Sequence, residues 1–361
     1  MKRSRTCTFL IMAGGTGGHI YPALAVAKYL VRYGHRVVWL GSRRGLEASI
    51  VPKAGIDIRF VYVRGLRKMG FFRWVIAPIM LMVALCQCIA VISRLKPNAV
   101  MGMGGYVSGP GAIAAWLLRK PLLIHEQNSV LGFTNRLLKH FADVTMEAFP
   151  GTFQSKFGAI HTGNPVRDEI AQIEVPQSRL LGRLGSVRLL VLGGSQGALV
   201  LNKFVPQAIE SLGKLKTTVR HQSGTKTVSV AKRAYGHQSE ICIIEFIDDI
   251  AEAYAWADIV ICRAGAITIA ELACAGVPAI LVPYPYATDD HQTTNAQFLS
   301  GANAAFLIEE SEVIAGGLGT LLKGLIYERR RLLSMATAAR LLAMPEATEL
   351  VAGLCMEAAN D

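Results

Sequence analysis

Three glycine-rich stretches carry the residues best suited to chemistry. They are Ala13-Gly14-Gly15-Thr16-Gly17-Gly18-His19, Met101 to Gly111 (with Gly104, Gly105, Tyr106 and Ser108) and Gly193-Gly194-Ser195-Gln196-Gly197-Ala198; each follows a hydrophobic run and precedes a helix-like one. Glycine lets the backbone approach an anion closely, and the unpaired N–H groups and positive dipole end of a following helix stabilise negative charge there. Three such turns point to a protein that handles more than one phosphate group. A fourth stretch, Asp258 to Glu271, reads as a strand ending at Arg263, a small-residue turn, and a helix that Thr268 begins with Glu271 in its first turn. Such a start can hold a diphosphate, and a carboxylate there can accept hydrogen bonds from the vicinal hydroxyls of a ribose. Thr268 and Glu271 also have the spacing of a capping box, and the local pattern does not separate the two readings. Asp290 to Ala296 opens another polar helix start, suited to a sugar or to solvent.

A dinucleotide site fits badly. The Gly-x-Gly-x-x-Gly frame that starts at Gly15 puts Ile20 at the third glycine, and Gly41-Ser42 stands where an NAD site needs a carboxylate. Arg43 and Arg44 keep an NADP phosphate open.

The elements that must position these turns follow from hydrophobic periodicity. Phe9 to Met12, Arg36 to Leu40, Ile56 to Val63, Asn98 to Gly102, Pro121 to His125, Asp143 to Phe149 and Ile160 to Thr162 read as strands with helical patterns between several of them. A second series runs through Val187 to Leu192, Thr218 to His221, Ile241 to Phe246, Asp258 to Cys262, Ala279 to Pro283 and Ala304 to Ile308. This alternation predicts an α/β fold of two Rossmann-like domains facing across a cleft, with the site in the cleft. The turn-forming cluster Gly163-Asn164-Pro165-Val166-Arg167 divides residues 1–165 from 166–340, and the Leu- and Ala-rich end, 341–361, is expected to pack back on the first domain.

At 361 residues with 52% hydrophobic content, the chain has apolar material for two cores and more. The net charge of +12 suits an anionic membrane surface or anionic substrates. Nucleic acid ranks low, because there is no basic arm, zinc pattern or aromatic-basic interleaving. The seven cysteines are scattered without a Cys-x-x-Cys and read as reduced thiols of a cytoplasmic protein. Lys2, Arg3 and Arg5 precede only a short apolar run that ends in the glycine turn, which is a first strand and not a signal peptide. Trp74 to Ile92 has nineteen residues without a charge, enough to span a membrane. A span would separate two strands of one sheet. Basic residues flank both ends (Arg64, Arg67, Lys68 and Arg73; Arg94 and Lys96), and Pro78 is expected to break its first turns. The preferred reading is a crossover helix or helix pair with one face in the core and the other on an anionic membrane.

Together, Gly14 to His19, Gly102 to Gly111, His125-Glu126-Gln127-Asn128, Gly163 to Arg167, Gly193 to Ala198, Glu245 to Asp249, Arg263 to Glu271 and His291 to Ala296 resemble the two-domain (GT-B) glycosyltransferases. Among these they resemble the enzymes of peptidoglycan synthesis that add N-acetylglucosamine to undecaprenyl-diphospho-N-acetylmuramoyl-pentapeptide. The resemblance runs over nearly the whole chain. It implies an inverting transfer from UDP-N-acetylglucosamine to the acceptor's C4 hydroxyl, at the cytoplasmic face of the bacterial inner membrane, with other cell-wall synthesis proteins as partners. It implies no cofactor, and there is no Asp-x-Asp motif to hold a metal.

By that resemblance the donor meets Thr16, Gly17, Gly18, Asn128, Arg167 and Ser195. Ile247 contacts its uracil through the backbone, Ala266, Ile267, Thr268, Ile269, Ala270 and Glu271 its diphosphate and ribose, and Gln292 its sugar hydroxyls. Gly14, Gly15, Gly104, Gly105, Tyr106 and Ser108 are expected at the acceptor diphosphate. The reaction needs a base. His19 is the first candidate, because an imidazole exchanges protons near neutrality, and Glu126 the second; binding phosphate or capping its own helix is the other role open to His19. Arg263 is a further candidate for meeting leaving-group charge. A UDP-N-acetylglucosamine epimerase of related fold and a non-catalytic membrane-binding module are the competing readings.

Overall fold

Short runs rich in Val, Ile and Leu, separated by glycine turns and helices, form two parallel sheets. The computed structural model describes residues 6–63, 71–194, 196–213, 217–236 and 241–360, with the backbone alone of 71–76. Contacts divide the chain into a first unit, Met1–Arg167 with Pro345–Asp361, and a second, Asp168–Met344.

In the first unit the strands are β1 (Thr8–Met12), β2 (Arg36–Gly41), β3 (Asp57–Phe60), β4 (Ala99–Gly102), β5 (Leu122–Glu126), β6 (Val144–Glu147) and β7 (Ile160–His161), ordered β3-β2-β1-β4-β5-β6-β7. All pairings are parallel, with Leu10 between Val38 and Val100. Parallel strands joined by crossover helices are covered on both faces, so the inner strands are apolar throughout: Leu10, Ile11 and Met12 are fully buried. In the second unit β8 (Val187–Leu192), β9 (Thr217–Gln222), β10 (Ile241–Ile244), β11 (Ile259–Cys262), β12 (Ala279–Leu281) and β13 (Ala305–Leu307) take the order β10-β9-β8-β11-β12-β13. The fold is therefore the expected pair of doubly wound α/β sheets. Each reverses its strand order once, between β1 and β4 and between β8 and β11, and the turns at the carboxyl ends of those strands are where such sheets bind ligands.

The apolar segment is one unbroken helix, Phe71–Leu95. Pro78 lies inside it and does not end its first turns, in contrast to the expectation from sequence. The proline is exposed and removes one ladder bond, while Ala84, Cys88 and Ile92 recur at helical spacing and are fully buried. Cys88 and Ile92 belong to the same core as Leu10, Val100 and Ile124. The helix crosses from β3 to β4 of one sheet. The chain's last helix, Ala347–Ala358, belongs to the first unit, where Val351, Ala352 and Cys355 enter the core beside Ile20 and Met101. Thr348 anchors it by donating to the Val166 carbonyl at 3.1 Å.

Candidate active site

The first glycine turn is built from below. Trp39 on β2 is fully buried, and its indole N–H donates to the Ala13 carbonyl at 2.9 Å. Glu47, 1% exposed, accepts from the Gly15 N–H at 3.2 Å and from the N–H and hydroxyl of Ser42 at 2.9 and 2.7 Å. The donor of Gly15, expected at a diphosphate, is thus spent on an internal carboxylate, and a side chain on Gly14 would press against the same group. Nothing in the sequence singles out Glu47. The helix Gly17–Arg32 then starts at Thr16, with no side-chain cap and no acidic residue in its first turn. Thr16 and Gly18 are exposed and Gly17 half-buried, so these expected donor contacts remain open.

His19 is half-buried in the first turn of that helix, and its Nδ1 lies 2.9 Å from Gln127 Oε1. The second glycine turn floors the ring. A Cβ on Gly104 would sit 2.7 Å from His19 Nδ1, and the φ of +89° there suits glycine alone. Gly105 packs on the backbone of Gly14, joining the two turns. Ser108 is fully buried, with its hydroxyl 2.8 Å from the Gly104 carbonyl and 3.1 Å from that of Met12. It braces the turn and presents no hydroxyl to an acceptor. Tyr106 is exposed.

Glu126 ends β5 and is 3% exposed. Oε1 accepts from the backbone and side-chain amides of Asn128 at 3.1 and 3.2 Å, and Oε2 from Gly132 N–H and Asn135 Nδ2 at 3.0 Å each. Four donors fill the lone-pair positions of one carboxylate, which leaves none for a substrate proton. Glu126 is a brace for the Asn128 loop and not the second candidate base. Gln127, to which sequence reasoning gave no role, is what touches His19. Arg167 is half-buried, its guanidinium 5.7 Å from the Tyr21 ring centre.

In the second unit, Ser195 lies outside the described residues. Its neighbours pack closely: side chains on Gly197 or Gly224 would strike the facing loop. Asn202 holds that loop through Ser223 and Thr227, and its Oδ1 lies 2.9 Å from His221 Nε2. Burial pushes His221 down to about 4 and keeps it neutral.

The turn after β11 leads into the helix Ala266–Ala275, which starts two residues before Thr268, with Gly265 as an N-cap that offers no side chain. The capping-box alternative therefore fails, because Thr268 sits inside the first turn and Glu271 in the second. Its N-cap makes no side-chain bond of its own, and its first turn has no acidic residue. Ile267, Thr268 and Ala270 are half-buried, whereas Ile269 is fully buried in the core and offers no side-chain contact. Glu271 is 7% exposed and accepts from the Tyr254 hydroxyl at 3.1 Å. Asn295 ties the helix His291–Ser300 to this turn by donating to the Ala264 carbonyl at 3.2 Å. Gln292 on that helix accepts from Tyr284 N–H at 2.9 Å through Oε1, which directs its amide. Ile247 is half-buried between β10 and the helix Ile250–Trp256. Arg263 is spent on Glu310 at 2.6 Å and on the carbonyls of Val282 and Pro283, which weakens its case as a phosphate ligand.

Two doubly wound parallel sheets with small-residue turns and helix starts at their switch points are the architecture of the two-domain (GT-B) glycosyltransferases. The chain belongs to glycosyltransferase family 28: the family's N-terminal domain matches residues 9–146 and its C-terminal domain residues 188–351. It is 51% identical to a protein of Nitrosococcus oceani over 97% of this chain and 98% of that one, and 49% identical to one of Marinobacter nauticus over 98% of both. Both carry the name UDP-N-acetylglucosamine--N-acetylmuramyl-(pentapeptide) pyrophosphoryl-undecaprenol N-acetylglucosamine transferase. The crystal structure of Acinetobacter baumannii MurG superposes with a TM-score of 0.84 at 38% identity, covering 97% of this chain and 99% of that one.

Proposed function

We propose that this chain is an inverting N-acetylglucosaminyltransferase, moving the sugar of UDP-N-acetylglucosamine to the C4 hydroxyl of undecaprenyl-diphospho-N-acetylmuramoyl-pentapeptide in peptidoglycan synthesis. Full-length relatives bear that name. The observation within the molecule that carries the reading is a half-buried His19 held at Nδ1 in the first unit; the second unit, taken by itself, adds a helix start at Gly265 with no acidic residue in its first turn.

The acceptor oxygen attacks the anomeric carbon in line, giving a β-1,4 bond, while its proton passes to His19 Nε2. The bond from that carbon to the diphosphate breaks, and UDP leaves with the electron pair. In this reading the dipole and backbone N–H groups at the start of the helix Ala266–Ala275 meet the developing charge without rearranging, which is where preorganised donors contribute most. Glu271, oriented by Tyr254, receives the ribose hydroxyls, Ile247 the uracil, and Gln292 with Asn128 the sugar. Ser195 and Arg167 complete the donor set. Tyr106, with the outer edges of the two joined glycine turns, faces the acceptor diphosphate.

The acceptor is a lipid, and the first unit carries a surface for one. Outward from the buried face of the helix Phe71–Leu95, Ile79, Leu81, Met82 and Val83 are exposed; Trp116 and Leu117, near Arg119 and Lys120, add further apolar area. Ala77–Leu95 is long and apolar enough to span a bilayer, with a mean hydropathy of 2.0, but its inner face belongs to the sheet core. Peripheral docking on the cytoplasmic face of the inner membrane follows, with basic neighbours drawn to anionic lipid.

The test uses sugar-labelled UDP-N-acetylglucosamine and vesicles carrying the muramoyl-pentapeptide lipid. Acceptor-dependent label in the organic phase supports transfer. Label that stays in water as an isomerised nucleotide sugar replaces this reading with an epimerase, and vesicle binding without any turnover replaces it with a membrane module.

A further inference from the structure

His19 Nδ1 meets Gln127 Oε1 at 2.9 Å, and Gln127 Nε2 meets His125 Nδ1 at 3.0 Å and the His125 carbonyl at 3.2 Å. His125 Nε2 lies 3.0 Å from the Gly163 carbonyl. Gln127 is 1% exposed and His125 is fully buried. Two backbone carbonyls can only accept, so they fix every proton in this line. Gly163 requires a hydrogen on His125 Nε2, which leaves a lone pair on Nδ1 of the neutral ring. That lone pair and the His125 carbonyl both require the amide nitrogen of Gln127 to face them, so its oxygen faces His19. An amide oxygen needs a donor, and His19 Nδ1 must therefore carry hydrogen. The neutral ring then has its lone pair on Nε2, which no hydrogen bond occupies among the described residues. Turning the Gln127 amide over would set oxygen against the His125 carbonyl and nitrogen against the donor of His19.

We propose that Gln127, oriented by His125, is a positioning residue that locks His19 in the Nδ1–H tautomer and so presents an unprotonated Nε2 to the acceptor hydroxyl. The proposal rests on the transferase reading for its catalytic consequence, though not for the tautomer itself. Burial holds His125 down to about 4 against the opposing pull of the Gly163 carbonyl, so the anchor stays neutral at ordinary pH. Asn164 steadies the same turn by donating to the Gln127 carbonyl at 2.9 Å. The arrangement matches the general rule that the bond made by one ring nitrogen decides what the other can do.

The test is two-bond ¹⁵N–¹H correlation on the full chain labelled at histidine, with His19 assigned from a His19→Gln sample, alongside turnover. The expected result is a protonated Nδ1 and an unprotonated Nε2 for His19 in the unliganded protein. Gln127→Met should release His19 to the Nε2–H form and lower kcat roughly tenfold or more, with donor KM changed less than about twofold. Gln127→Glu, with a proton on the oxygen that faces His125, keeps both the donor to His125 and the acceptor for Nδ1–H and should hold the tautomer, with kcat above that of Gln127→Met. An Nε2–H His19 in the unsubstituted protein overturns the proposal, as does equal loss of kcat in both variants irrespective of tautomer. The spectrum needs neither substrate nor variant. A failed transfer assay with the expected tautomer therefore removes the transferase reading, and the reverse outcome removes the relay.

Discussion

The turns after β1 and β11 both lie at switch points and are built differently: four glycines stand between Ala13 and His19, and only Gly265 between Arg263 and Ala266. In the first unit the Gly15 N–H is bound to buried Glu47, and the turn is held from beneath by Trp39 and from the side by Gly105. In the second unit the helix Ala266–Ala275 begins at Gly265 with neither a side-chain cap nor an acidic residue in its first turn. The first turn is a braced mount for His19, and the second leads into a helix whose N-cap has no side chain.

That contrast can be broken at either end. Glu47→Ala should leave the Gly15 and Ser42 donors unpaired and cost the first unit about 3 kcal/mol, read by urea unfolding. A loss below about 1 kcal/mol would mean the turn holds its shape without the carboxylate. Acid probes the two units together. His125 in the first and His221 in the second are both held at about 4 instead of 6.5, chiefly by burial. Between those values the unfolded chain binds more protons than the folded one, so stability rises with pH across the window and is lost as pH falls through it. At pH 5 each histidine should contribute a loss of about 2 kcal/mol relative to pH 8. Urea midpoints unchanged between these pH values would contradict neutral, buried imidazoles in either unit.

Smaller changes sharpen the comparison. Gly265→Asp fits the backbone, since a Cβ there meets nothing closer than 3.6 Å, and places a carboxylate at the N-cap. It should raise stability by roughly 0.5 kcal/mol and weaken UDP-N-acetylglucosamine binding about tenfold, because a carboxylate would compete for the diphosphate's donors. Tighter or unchanged donor binding by calorimetry would remove the diphosphate from this helix start. Tyr254→Phe should cost about 1 kcal/mol in stability by depriving Glu271 of its hydroxyl partner. An unchanged unfolding midpoint would show that Glu271 is held by other groups.

Much of this was legible in the sequence. Short apolar runs between helical patterns placed the strands to within a few residues, because parallel strands covered on both faces are short, apolar and bounded by turns. Val187–Leu192 matched at both ends, while the expected run from Ile56 to Val63 pairs only over Asp57–Phe60 at the sheet edge. The positions that misled were those decided by long-range contacts. The start of the helix at Ala266 was hidden because Thr268 and Glu271 imitate a capping box. Pro78 reads as a breaker, yet packing of Ala84, Cys88 and Ile92 carries the helix past it. Glu126 looks like a base until its four donors, drawn from Asn128, Gly132 and Asn135, are seen. Glu47 and Gln127 have no local signature for their roles, since Gly15 and His19, the groups they hold, lie 32 and 108 residues away.

The proposed role of the mounted imidazole as a base, distinct from donor binding, is tested most directly by one paired measurement on His19→Ala. UDP-N-acetylglucosamine affinity is measured by titration calorimetry, and kcat with the lipid acceptor. A base acting only in the transition state predicts donor affinity within about twofold of the unsubstituted protein and a kcat lowered by about 10² to 10⁴. Loss of affinity in the same proportion as rate would make His19 a donor ligand and contradict its assignment as the base.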